Sequence, residues 1–142
     1  MTSMVGMFRD ATSFSTDISQ WDVSNVINMH NMFDGATLFN NNVTNWDVSR
    51  VTNMNSMFND AISFNGDISK WDVSRVVDMS SMFDGATSFN ADISQWDVSK
   101  VHSMPGMFKN ATSFARKLCG AWRNARAWQT NMFLFSPGQL CV

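Results

Sequence analysis

A chain of 142 residues, 44% of them apolar, is the size of one domain and carries enough apolar surface for a core, which excludes intrinsic disorder. A net charge of −2 excludes readings built on nucleic acid or an anionic membrane, and no apolar run is long enough to span a bilayer. The residue choice is unusual, with 12 Met, 12 Phe, 6 Trp, no Tyr and Asp as the only acidic residue. Asp and Asn favour turns and caps over helix interiors, so the chain is expected to turn often.

The first residues, Met1-Thr-Ser-Met-Val-Gly-Met-Phe8, lack the basic region and apolar segment of a signal peptide and read as part of a repeat. The stretch Asp17-Ile-Ser-Gln-Trp-Asp-Val-Ser-Asn-Val26 then recurs, with small changes, at 42–51, 67–76 and 92–101, a period of 25 residues without slippage. Aligned on that period the chain shows apolar columns. Examples are Met4, Met29, Met54, Met79, Met104; Phe8, Phe33, Phe58, Phe83, Phe108, Phe133; and Trp21, Trp46, Trp71, Trp96. Such columns are what stacked repeats bury against one another, since one unit alone has too little core.

Within a unit, Trp21 and Val23 alternate around Asp22 and predict a short strand, paired in parallel with the same strand of the next unit. Val26, Met29, Phe33 and Ala36 recur at helical spacing, with Ser24 as N-cap and Gly35 as stop, and predict a short helix. A return loop follows from Ala36 to the next strand. After Phe114 the pattern breaks, because Trp122 falls one place late and Arg123 and Arg126 replace Val. Cys119–Phe133 then reads as a longer amphipathic helix that caps the stack. The expected organisation is a solenoid of about five coils over 1–118 and an atypical cap over 119–142, with the first coil uncapped. Cys119 and Cys141 flank the cap and read either as a disulfide that staples it or as two small buried thiols.

The core Ile18-x-x-Trp21-x-Val23-x-x-Val26 resembles the L-x-x-L-x-L-x-x-N core of leucine-rich repeats, with Trp and Val in place of Leu. The fuller unit, Trp-Asp-Val-Ser-x-Val-x-x-Met-x-x-Met-Phe-x-x-Ala-x-x-Phe-Asn, resembles the repeat of BspA-like and Mycoplasma-lipoprotein surface proteins over residues 4 to about 114. The resemblance implies an α/β repeat fold: a right-handed leucine-rich-repeat-like solenoid with one short parallel strand and one short helix per coil. It also implies an extracellular or cell-surface location and no enzymatic activity. An organelle lumen or an intracellular assembly stands as the alternative, since no signal is visible.

Chemistry is expected on the outward strand face. The column Asp22, Asp47, Asp72, Asp97 stacks like charges, which destabilise a sheet unless something offsets them. Three readings remain open: each Asp caps a turn by accepting backbone N–H bonds, the row holds Ca2+, or it meets a cationic partner. Arg50, Arg75 and Lys100 lie beside it, and Asp17, Asn42, Asp67, Asp92 form a second polar column suited to turns. Arg116, Lys117, Arg123 and Arg126 form a basic cluster where the repeat ends, readable as a solubilising face or as a docking surface for an acidic partner. His30 and His102 share no column, and zinc, nucleotide and nucleophile motifs are missing, so no cofactor is expected. The function expected is a non-enzymatic module for protein–protein binding or adhesion. The alternatives are a structural subunit that joins a larger assembly through its uncapped first coil, and Ca2+-dependent binding through the Asp row.

Overall fold

Thirty-nine buried apolar residues form one continuous core, and the columns of the 25-residue period line it. The computed structural model describes all residues, Met1–Val142. Rings of the Phe8, Phe33, Phe58, Phe83, Phe108, Phe133 column stack from unit to unit with centroids 5.4–5.7 Å apart. A second ring ladder, Phe14, Phe39, Phe64, Phe89, Phe114, runs beside it. The indole Nε1 of each buried Trp donates to a carbonyl of the preceding unit: Trp46 to Ile18, Trp71 to Val43, Trp96 to Ile68 and Trp122 to Ile93, at 3.0–3.1 Å. No polar or charged residue is buried.

The helix expected in each unit does not form, and neither does the strand at Trp-Asp-Val. The chain has no helix and two short strands, β1 (Lys117–Leu118) and β2 (Gln139–Leu140), which pair in parallel. The α/β leucine-rich-repeat architecture is therefore overturned. The physical reason lies in where the N–H groups go. Between Met29 and Gly35, alternate residues donate to the next unit: Met29 to Asn53, Asn31 to Asn55, Phe33 to Met57 and Gly35 to Asn59, at 2.8–3.0 Å. The residues between them close tight turns, Met32 onto Met29 and Asp34 onto Asn31. A helix would need all of these donors for its own i−4 carbonyls. Two left-handed residues per unit complete the break. Gly6, Asn31, Ser56, Ser81, Gly106 and Asn131 form one positive-φ column, and Asp10, Gly35, Asp60, Gly85, Asn110 and Phe135 the other. Gly, Asn and Asp tolerate this region best, and a helix does not survive it.

The units still pair in parallel, but at a different place. Single bridges join Ser3, Asn28, Asn53, Asp78, Ser103 and Trp128 in succession, inside the segment expected to be helical. Pro105 fits here because its N–H position is not used between units, while its carbonyl accepts from Ser81 at 2.9 Å.

The C-terminal helical cap is also overturned. Residues 119–135 form turns that repeat the unit pattern: Met104 donates to Trp128, Gly106 to Thr130, Phe108 to Met132 and Asn110 to Leu134. One extra residue before Trp122 shifts its register locally, yet it is fully buried and holds the Trp bond. The tail then closes the end. Gln139 donates to Arg116 and Cys141 to Leu118, and Cys119 and Cys141 are joined by a disulfide with Cα atoms 4.9 Å apart.

Candidate functional site

The Asp row sits at a bend, not on a strand. Ser24 donates its backbone N–H to Asp22 Oδ1 at 3.0 Å and its hydroxyl at 2.6 Å. Ser49, Ser74 and Ser99 donate their N–H groups to Asp47, Asp72 and Asp97, also at 3.0 Å. The carboxylate so mimics a backbone turn, and Val26 N–H closes onto Val23 O at 2.9 Å. This is the turn-capping reading of the row. The alternation of Trp and Val around Asp survives, with Val23, Val48, Val73 and Val98 buried and the four Asp exposed.

The second polar column works the same way. Ser19, Ser69 and Ser94 donate N–H to Asp17, Asp67 and Asp92, and Thr44 donates to the amide oxygen of Asn42, at 2.9–3.0 Å. A third set was missed: His30 donates to Asn28, Asn55 to Asn53 and Ser80 to Asp78. Each regular unit thus turns at three Asx bends. The signal was available as Asp or Asn two places before another polar residue, but the helical spacing around it took precedence.

These bonds set the electrostatics. For Asp22, Asp47, Asp72 and Asp97 the carboxyl is held below its ordinary range, first by the serine hydroxyl and next by its backbone N–H. Asp67 follows the same order, while for Asp17 and Asp92 the backbone N–H leads. Repulsion between rungs acts on Asp47 from Asp22 and on Asp72 from Asp47, and ranks last among the causes. Hydrogen bonding first, and then the field of Arg50 on Asp47 and of Arg75 on Asp72, offsets the stacked charge. A carboxyl depressed by folding stabilises the folded state above the unfolded pKa and loses that contribution as pH falls through the folded value. Thermal stability should be flat at mildly acid pH and fall below about pH 4. A variant carrying Asn at 22, 47, 72 and 97 keeps the bends, as Asn42 does, and should fall less. Equal acid sensitivity of the two melting curves would refute this origin.

The basic residues do not pair with the Asp row. Arg50 Nη1 donates to Asn25 Oδ1 at 2.8 Å, and Arg50, Arg75 and Lys100 are exposed with no carboxylate within ion-pair distance. The terminal cluster is divided. Arg116 Nε donates to Asn90 O at 3.0 Å and lines a groove with Asp67 and Asp92, whereas Lys117 lines a separate hollow of about 480 Å³ with Asp97 and Trp96. Arg123 follows buried Trp122 as Asp97 follows Trp96, so the charge on that face reverses in the last unit. Arg126 is exposed without an ion pair.

A second charged strip was not anticipated. Arg9 lies 3.4 Å from Asp34, Asn59 donates to Asp34 at 2.8 Å, Asn110 donates to Asp84 at 3.0 Å, and Lys109 reaches Asp84 at 3.9 Å. Asp60 stands among them with its carboxyl raised, by burial first and then by Asp84 and Asp34. No three side chains of the His, Cys and Asp type converge as ligands for one ion. No helix is long and apolar enough to cross a membrane.

A family model described as "Mycoplasma protein of unknown function, DUF285" matches residues 2–122. The chain belongs to the DUF285 family. The match takes in four whole 25-residue units from Thr2 and most of a fifth, to Trp122, so the Asx bends and the charged rows lie within the DUF285 region. Arg123, Arg126, β2 and the disulfide's Cys141 lie beyond it, while β1 and Cys119 lie within. No curated protein matches the chain, and no solved structure does.

Proposed function

We propose that this DUF285 chain is a non-enzymatic binding or adhesion module of a surface or secreted protein, and that it meets protein partners through the exposed row of Asp22, Asp47, Asp72, Asp97 with Arg50, Arg75 and Lys100. The observation that carries this is the rigid presentation of the row. Each carboxylate is oriented by its own Asx bend on a continuously packed core, so binding costs little ordering entropy. Arg50, Arg75 and Lys100 beside it are exposed and make no ion pair, so a partner's acidic groups can reach them. The disulfide suits an oxidising location outside the cytoplasm. The spread of the carboxylates, each engaged by serine, gives the calcium reading no support.

The test compares the chain with a variant carrying Asn at the four Asp positions and Gln at Arg50, Arg75 and Lys100. The variant should keep its fold and melting behaviour at neutral pH. Binding to proteins displayed on a cell surface, measured by biolayer interferometry, should fall at least about tenfold. Equal binding by the two chains would remove the row from the function.

A further inference from the structure

Nine Asx bends of the chain have Ser or Thr two places after the Asx residue, and Asp heads all of them except the one headed by Asn42. The bends headed by Asn28 and Asn53 lead instead to His30 and Asn55. Asn and Asp close the same bend, so backbone geometry does not choose between them. A serine hydroxyl favours the carboxylate: it donates to Asp22, Asp67, Asp72 and Asp78 at 2.6–2.7 Å. At Asn42 the hydroxyl turns elsewhere. Thr44 Oγ1 donates to the Asp67 carbonyl at 2.8 Å, and only the Thr44 N–H reaches Asn42 Oδ1, at 2.9 Å. Asn42 departs from Asp17, Asp67 and Asp92 of its column, and Thr44 departs from Ser19, Ser69 and Ser94, in the same unit. Together they make Asn42-Val-Thr44, the acceptor pattern for N-linked glycosylation.

We propose that Asn42 is a modification site and carries an N-linked glycan. The proposal rests on the surface or secreted location proposed above, which the Cys119–Cys141 disulfide suits, and on nothing in the Asp22 row. The folded chain leaves the acceptor atom free. Asn42 is exposed and its Nδ2 donates to no group, whereas the Nδ2 of neighbouring Asn41 is tied to the Ser15 and Thr16 carbonyls. The bend holds the Asn42 side chain through Oδ1 alone, so a sugar on Nδ2 breaks no bond, and a bulky, solubilising group belongs on such a surface. The other match to the pattern, Asn110-Ala-Thr112, differs on each point. Asn110 is half-buried in a left-handed position, φ 57°, and its Nδ2 donates to Asp84 Oδ1 at 3.0 Å, where a sugar would crowd the carboxylate. In the transfer, Asn42 Nδ2 attacks the anomeric carbon of a glycosyl diphosphate donor. The new N–C bond forms, the C–O bond to phosphate breaks, the diphosphate leaves with that electron pair, and the amide gives up one proton.

The test uses the chain isolated from the cells that produce it. Trypsin cuts after Arg9 and Arg50, and after Lys109 and Arg116, which puts Asn42 and Asn110 on separate peptides, residues 10–50 and 110–116. An amidase that releases N-linked glycans, used in heavy-oxygen water, should convert Asn42 to labelled Asp in the first peptide and leave Asn110 unlabelled. Made in the same cells, Asn42→Asp should lose the glycan and keep the bend that Asp17, Asp67 and Asp92 make. Thr44→Ala should lose it with Asn42 in place. The Asn42→Asp chain has the covalent structure of the amidase-treated chain, so their melting midpoints should coincide, which separates loss of the glycan from loss of the fold. An unmodified 10–50 peptide, a sugar that resists the amidase or sits on Thr44, or equal labelling of Asn110 would overturn the proposal. None of these results moves the Asp22 row, whose own test is partner binding.

Discussion

Replacing Phe58 with alanine should destabilise the protein by about 3–5 kcal/mol, the range for emptying a buried aromatic site. Phe58 is fully buried in a middle unit. Its ring stacks on Phe33 at 5.5 Å, Phe83 at 5.6 Å and Phe64 at 4.0 Å, so the cavity has ring faces on three sides. Those rings are held by units that are themselves hydrogen-bonded above and below, which limits collapse into the gap. In a stack whose units contact only their neighbours, a defect in the middle weakens two interfaces and divides the core. Phe8 occupies the same column in the first unit, is only partly buried, and has a ring neighbour of its column on one side alone, Phe33. Phe8→Ala should cost roughly half as much. Urea unfolding followed by tryptophan fluorescence measures both. Equal losses at the two positions would show that the column does not act as a continuous ladder.

The same columns explain what was legible before the structure. The period, the identity of nearly every core position and the outward direction of the Asp row could all be read from the sequence, because burial in a stack depends on which residues repeat and not on the backbone between them. The backbone itself was misread. Val26, Met29, Phe33 and Ala36 have the spacing of a helix face, but a run of tight turns that sends alternate N–H groups to the next unit buries residues at the same spacing. Periodicity alone does not separate the two. The residues that do separate them were in view: the Gly/Asn/Ser column through Asn31 and the Asp/Gly/Asn column through Gly35 mark left-handed positions that no helix interior accepts. Gly35 reads as a helix stop in the sequence, which identifies its conformation and misplaces its cause. Likewise Trp-Asp-Val has the alternation of a strand, yet the serine two places after Asp turns the chain.

At the C-terminal end the sequence broke register by one residue at Trp122, and that slip suggested a helix. The structure shows a unit that keeps the Trp and Phe positions and ends on a tail held by β1–β2 and by Cys119–Cys141. Removing the disulfide by Cys119→Ser and Cys141→Ser should cost about 3 kcal/mol, from the loop entropy that closing 22 residues removes from the unfolded chain. The loss should be local. The last unit has a neighbour on one side only, so it can open while the Phe33–Phe89 ladders stay packed. Arg123 and Arg126 lie inside the loop and are exposed, so trypsin reports the opening directly. Cleavage there should accelerate on the order of a hundredfold where it follows the open population, while the middle units remain intact. Two titratable thiols in the native chain, or equal cleavage rates with and without the cysteines, would sink this account. The bond keeps Gly138 against Phe114 and Phe133 and Cys141 on the Leu118 carbonyl, so the tail covers the face on which a further Phe ring and a further indole would otherwise sit.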